Sequence, residues 1–344
     1  MDAATIVGVL THSSGLPRES DYPYWSGDFD FPTREKVIER LGAQTPLYPS
    51  DRYFQYSNLG LTLAGEVVSA RANKPYADYV RARILDPLHL DTTYPEVPLQ
   101  EKGNRLAQGY SARRRDGTRT PLPLFQARGI APAAGFASTV GDLAKFAMWQ
   151  FRALAASSDP VLDPRTLREM YRPHWVDPDF ETFWGVGFAT WKADGKVFVG
   201  HGGSCPGYRT QFVLEPEKKI GVIVMANASG VNTGRYAKAI YDIVAPNIAK
   251  TDTLPSLDAY VGSYDAFPWD GETMIVAWGD GLAAIDLPDP EPMKSLERLR
   301  KTGEHTFRRV RKDGTLGETI AFEIGPDGRA TKLWWHSNPY PKMK

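Results

Sequence analysis

Apolar positions along the chain change their period twice. Through the first 250 residues helical and strand-like patterns alternate. "NLGLTLAGEVVSARA" is apolar on most faces, the pattern of a helix with neighbours all round. Pro75 opens "PYADYVRARIL", where Tyr76, Tyr79, Val80 and Ile84 recur at helical spacing. "STVGDLAKFAMWQFRAL" reads as another helix, with Thr139 and Asp142 spaced as a capping box. From Phe183 the pattern shortens. "WGVGFATW", "VFVGHGG", "YRTQFVLEP" and "IGVIVMAN" read as four strands of an antiparallel sheet, broken by the turn signals "KADGK" and "EPEKK". "RYAKAIYDIVA" closes this region as a helix.

The second change falls at Thr251–Pro255. Beyond it come "YVGSYDA", "TMIVAW", "LAAIDL", "HTFRRV", "TIAFEI" and "ATKLWW", with Gly-Asp-Gly, Lys-Asp-Gly and Pro-Asp-Gly in the breaks. Short strands with glycine turns predict a small all-β unit of barrel type. The expected organisation is two domains, 1–250 and 255–344, which suits a chain of 344 residues. Gly279-Asp280-Gly281-Leu282-Ala283-Ala284 mimics a dinucleotide-binding fingerprint, but Pro288 and Pro290 stand where its helix should run.

Charge and composition narrow the function. Lys plus Arg and Asp plus Glu both number 41, so the net charge is zero and the electrostatic case for a nucleic-acid partner is gone. The basic run Arg113-Arg114-Arg115 leads into Asp116-Gly117 and reads as a solvated turn. A single cysteine, Cys205, excludes an internal disulfide. No histidine sits in a His-x-x-x-His or Glu-x-x-His pattern, so neither a metal nor a cofactor is expected. No apolar run approaches the ~18 residues of a membrane helix. The opening "MDAATIVGVLTHSSG" lacks the regions of a signal peptide and is expected to begin inside an element.

Two short stretches carry candidate chemistry. In "YFQYSNLG", Tyr56 and Asn58 sit where a turn enters a helix. Taken singly, Asn58 is also a good helix cap and Tyr56 a good core aromatic. In "VGHGGSCPGYRTQF", His201 ends an apolar run and precedes Gly202 and Gly203, which allow a ligand to approach the backbone. By itself His201 is equally a turn histidine.

Four segments in order carry a resemblance: Leu10–Leu16, Tyr56–Asn58, Ala134–Leu143 and His201–Gly203. With them the chain resembles the serine β-lactamase-like family. That family embraces class C β-lactamases, D-amino-acid peptidases, relatives of penicillin-binding proteins and esterases. Its segments read Leu-Thr-His-x-Ser-Gly-Leu, Tyr-x-Asn, Ala-Gly-Gly-x-x-Ser-Thr-x-x-Asp-Leu and Lys-Thr-Gly or His-x-Gly. In this chain the third is one residue shorter, and Phe136 stands where its second glycine would. The resemblance spans residues 5 to about 245 and implies a β-lactamase/transpeptidase-like α/β (α+β) fold, an antiparallel sheet flanked by helices. The last ninety or so residues resemble the β-barrel appendage of some members.

The family's nucleophile is the serine of Ser-x-x-Lys, on a central helix preceding the Leu-Thr-His segment. No serine here has lysine three residues later. Thr33-Arg34-Glu35-Lys36 is the nearest echo, with Thr33 expected to cap a helix. Gly202-Gly203-Ser204-Cys205-Pro206 fails the Gly-x-Ser-x-Gly pattern at its last position. The fold is therefore expected to be N-terminally incomplete and poorly stable. By resemblance Tyr56 would be the general base, Asn58 would orient substrate and lysine, and His201 would stand for the strand lysine. Gly202, Gly203 and Ser204 would bind substrate, with the Ser204 N–H as half of an oxyanion hole. The implied activity is hydrolysis of an ester, amide or β-lactam of a small molecule or peptide through an acyl-serine, absent from the chain as written. The alternative is a non-catalytic remnant that binds a ligand or partner. Localisation and oligomeric state are left open.

Overall fold

The computed structural model describes residues 4–248, except 177 and 179, and residues 257–343, except 269 and 270. Two compact units divide the chain, Met1–Ile240 and Tyr241–Lys344. The composition shift at Thr251–Pro255 lies outside the described residues.

Several helices of the first unit begin where a side chain satisfies a free N–H group. After the short α1 (Ile6–Leu10) comes α2 (Arg34–Leu41), capped by Thr33, whose Oγ1 accepts from the Lys36 N–H at 3.4 Å. Helix α3 (Asn58–Ala72) starts at Ser57 and stops at Asn73, which adopts φ +50° and donates its N–H to Ser69 O. Pro75 leads into α4 (Tyr76–Val80), continued by a π-helical turn over Arg81–Leu85. Short α5 (Ala131–Ala134) and α1 both pack on α3. Helix α6 (Val140–Ala155) packs on α7 (Pro164–Tyr171) through Trp149, Ala153 and Leu167.

Only half of the expected capping box forms at α6. Thr139 Oγ1 accepts from the Asp142 N–H, but the Asp142 carboxylate turns inward. It accepts from the Thr92 N–H at 2.7 Å and Thr93 Oγ1 at 3.0 Å, and pairs with Lys145 at 3.1 Å. Burial pushes its pKa up, yet these bonds outweigh burial and hold it below the ordinary value.

Six antiparallel strands follow in sequence order: β1 (Trp175–Val176), β2 (Thr182–Trp184), β3 (Ala189–Ala193), β4 (Lys196–Cys205), β5 (Tyr208–Glu215) and β6 (Ile220–Ala226). The four-strand expectation undercounts them. "WGVGFATW" is two strands, because Gly185 N–H bonds Phe188 O and Gly187 takes φ +74°, which turns the chain. Strand β1 has two residues, too few for a period to show. Helix α8 (Thr233–Ile248) follows β6, and α6 packs on β6. Apolar surface stays open on the helices: Ile6 and Val7 of α1 and Val67 of α3 are 51%, 52% and 42% exposed.

The second unit holds an eight-stranded antiparallel sheet in chain order: β7 (Gly262–Asp265), β8 (Glu272–Trp278), β9 (Gly281–Leu287), β10 (Glu297–Lys301), β11 (Thr306–Val310), β12 (Leu316–Ile324), β13 (Ala330–Trp335) and β14 (Asn338–Pro341). A bridge between Tyr264 and Lys342, with the Met343 N–H on Ser263 O at 2.8 Å, brings the first and last strands together into a nearly closed barrel. Ile275, Leu282, Leu299, Phe307, Ile320 and Leu333 fill it, each at most 2% exposed. Two strands were not expected. β10 reads Glu-Arg-Leu-Arg-Lys and points only Leu299 inward, while β14 carries Pro339 and Pro341, which sequence rules place at sheet ends. One helical turn, α9 (Pro292–Ser295), interrupts the strands.

Candidate active site

The site grows from the N-terminal end of α3. Ser57, fully buried, accepts the Gly60 N–H on its Oγ at 2.8 Å and donates that hydroxyl to Pro17 O at 2.6 Å. Asn58 is thus the first helical residue and not the cap. The Arg18 carbonyl accepts the Asn58 N–H at 2.7 Å and the Leu59 N–H at 3.2 Å, so two donors that every helix start leaves unpaired are satisfied by the loop after α1. Asn58 Nδ2 donates to Glu19 Oε1 at 2.7 Å, and the Tyr24 hydroxyl donates to Glu19 Oε2 at 2.6 Å. A carboxylate beside a helix N-terminus also suits the helix dipole.

Against this turn lies His12. It is 5% exposed, and its Nδ1 accepts the Ser57 N–H at 3.1 Å, which puts the ring proton on Nε2. Burial, then the charges of His201 and Arg18, lower its pKa to about 4, so His12 is neutral at neutral pH. Its ring centroid is 4.1 Å from that of Tyr56, and the Arg18 guanidinium carbon is 4.9 Å from the same Tyr56 centroid. Burial raises the Tyr56 pKa above that of free tyrosine; Arg18 pulls it down, Glu19 and Cys205 push it up.

Strand β4 supplies the facing wall. The rings of Tyr56, Trp184 and His201 form a triangle with centroid separations of 6.1 to 6.2 Å. Phe54 stacks on Trp184 at 4.7 Å and extends an aromatic side of the site. The Gly202 carbonyl can only accept, so the His201 Nδ1–H donates to it at 2.6 Å.

Strand β3 begins opposite Gly200, so among the described residues β4 pairs only with β5 from His201 onward and its other backbone edge is unpaired there. Gly200 is obligatory for the sheet: a Cβ there would lie 2.0 Å from Phe212 O. At Gly203 a Cβ would meet Thr210 Oγ1 at 2.2 Å, whereas at Gly202 the nearest atom would be Gln211 Oε1 at 3.2 Å, with Thr210 O at an ordinary 3.6 Å. Ser204 faces Arg209 across the hairpin and is exposed. Cys205 faces Tyr208, and burial pushes its thiol up to about 11. Among the described residues no group of three His, Cys, Asp or Glu side chains is placed to hold a metal ion. Nor is any helix there long and apolar enough to cross a membrane.

The fold therefore brings Tyr56 and His201 together and sets Gly202, Gly203 and Ser204 on the strand beside them. Asn58 stands one residue on, with its amide turned to Glu19. Sequence reasoning did not place His12, Arg18, Glu19 or Trp184 in the site. His12 lay within the Leu-Thr-His segment, which was its signal; the other three carried none. An antiparallel sheet flanked by helices with a Tyr-x-Asn turn facing a His-x-Gly strand defines a β-lactamase-type hydrolase fold. The chain belongs to the Beta-lactamase family, whose model matches residues 2–245.

Among curated proteins it is 29% identical over 242 residues to Beta-lactamase-like protein 2 of Dictyostelium discoideum, covering 69% of this chain and 42% of the relative. It is 24% identical over 288 residues to an N-acetylmuramyl-L-alanine amidase of Bacillus subtilis, covering 76% and 62%. The chain thus spans less than two thirds of the length of these relatives. Among solved structures it shares the fold of the octameric penicillin-binding protein homologue from Pyrococcus abyssi, with a TM-score of 0.61 at 23% identity over 96% of this chain and 76% of that one. The D-amino acid amidase from Ochrobactrum anthropi SV3 gives 0.57 at 22% identity over 70% and 73%.

Proposed function

We propose that this chain carries the general-base and substrate-binding half of a serine hydrolase, whose Ser-x-x-Lys nucleophile is not among residues 1–344. The complete site hydrolyses an amide, peptide or related acyl bond through an acyl-serine, and the chain alone forms no acyl-enzyme. One observation carries this reading: Tyr56 and His201 are held with ring centroids 6.1 Å apart beside an open strand edge. A neutral serine hydroxyl needs a base within hydrogen-bond reach. Tyr56 can be that base only if cations offset the burial that raises its pKa, and the lysine of Ser-x-x-Lys is such a cation. The open apolar residues of α1 and α3 fit a further segment packing there. Relatives named as amidases favour an amide or peptide substrate.

A remnant that binds a ligand or partner without turnover is the second reading, favoured by the same missing serine. The test is to read the DNA before the Met1 codon and assay accordingly. An in-frame Ser-x-x-Lys whose restoration yields serine-dependent hydrolysis of D-amino-acid amides or nitrocefin supports the first reading. A stop codon there, with no turnover by the chain, supports the second. Robust turnover by the chain as given would overturn both.

A further inference from the structure

Arg18 and Glu19 follow the Leu-Thr-His segment and belong to none of the motifs that carry the family resemblance. Their backbone is tied to the catalytic turn, since the Arg18 carbonyl takes both the Asn58 and Leu59 N–H groups. Their side chains part from there. The Arg18 guanidinium lies 4.9 Å from the Tyr56 ring centroid, and its Nε lies 3.4 Å from Glu19 Oε1. Glu19 is three-quarters buried, takes the Asn58 amide on one oxygen and is anchored through the other by Tyr24, which is 1% exposed.

We propose that Arg18 and Glu19 are positioning residues for the Tyr56 and Asn58 pair: Arg18 holds the phenol ring against His12, and Glu19 fixes the Asn58 amide with Nδ2 inward and Oδ1 outward. Two consequences follow. With one Nδ2 hydrogen held by Glu19, Asn58 keeps Oδ1 as an acceptor for a donor such as an ammonium or amide N–H that enters the site. Second, the phenol sits between charges of opposite sign. The titratable or charged groups around Tyr56 are Arg18, Glu19 and His12 from the segment after α1, and His201 and Cys205 from β4. His12 is neutral near pH 7 and the Cys205 thiol is protonated. Arg18 is then the standing cation beside the phenol, opposed by Glu19.

The proposal deepens the reading of Tyr56 as general base, but its test needs no turnover and so stands or fails separately. The whole chain is labelled with 3-fluorotyrosine, and the Tyr56 fluorine resonance is assigned by its loss in Tyr56→Phe. Its titration midpoint is then followed by ¹⁹F NMR. Arg18→Gln moves the midpoint up, Arg18→Lys leaves it near the parent, and Glu19→Gln moves it down. Simple loosening of the turn would relieve burial and lower the midpoint in both Gln variants. An Arg18→Gln midpoint that stays or falls overturns the role of Arg18. For the amide, the Asn58 side-chain ¹⁵N signal, assigned with Asn58→Asp, exchanges faster with solvent in Glu19→Ala and stays protected in Glu19→Gln, whose carbonyl can still accept. Unchanged exchange in Glu19→Ala overturns the role of Glu19.

Discussion

The buried imidazole of His12 accepts the backbone N–H of Ser57 while its ring lies 4.1 Å from that of Tyr56. One neutral side chain thus fixes both the cap of α3 and the face of the residue read as general base. That double duty makes the protonation of His12 a structural event.

Acidification should therefore loosen the turn that enters α3. A free imidazole titrates near 6.5 and folded His12 near 4, so the unfolded chain binds more protons between these values. The stability His12 contributes is complete above pH 6.5 and is lost as pH falls towards 4, by about 3 kcal/mol. Urea unfolding between pH 4.5 and 7.5 measures this slope. His12→Asn should flatten it, because Asn keeps an acceptor and tolerates the φ of +60° found here.

The glycines of β4 should separate folding from substrate approach. Gly200→Ala drives a Cβ into the Phe212 carbonyl and should cost about 3 kcal/mol, read by thermal unfolding. Gly202→Ala presses on nothing tighter than the end of the Gln211 side chain at 3.2 Å and should fold like the parent. A Gly202→Ala protein less stable than Gly200→Ala would contradict the geometry.

Cys205 should be a slow thiol. With its pKa near 11, little thiolate exists at pH 8. Labelling by Ellman's reagent should be much slower in the native protein than in 6 M guanidinium, and Cys205→Ala should leave the spectroscopic signature of the fold unchanged. Rapid native labelling would mean that the hairpin opens.

In a form that carries Ser-x-x-Lys, Tyr56→Phe should lower kcat roughly 10²–10⁴-fold with little change in substrate affinity. His201→Ala should cost less and act mainly on KM, since in the proposed reading Tyr56 and not this ring is the base. Steady-state kinetics on an amide substrate distinguish the two, and a restored enzyme indifferent to Tyr56 would refute the assignment.

Much of this was legible residue by residue, because the deciding physics is local. The Thr33 cap and the stop of α3 before Pro75 follow from side chains within a few positions of the backbone they satisfy. The barrel strands with clear alternation, such as "TIAFEI", announce which side faces the core. Where one short strand carries mostly charge, as in Glu297–Lys301, pairing to neighbours on both sides makes it a strand and local preference has no say. The same holds in the site. Tyr56, Asn58 and His201 stand out by motif. That Asn58 gives its amide to Glu19, and that His12 takes the Ser57 N–H, are contacts between residues 39 and 45 positions apart. Nothing in either stretch specifies its partner. Only closing the loop after α1 over the start of α3 brings a buried acceptor to each unpaired donor, and burial in turn makes His12 neutral and Tyr56 a weak acid.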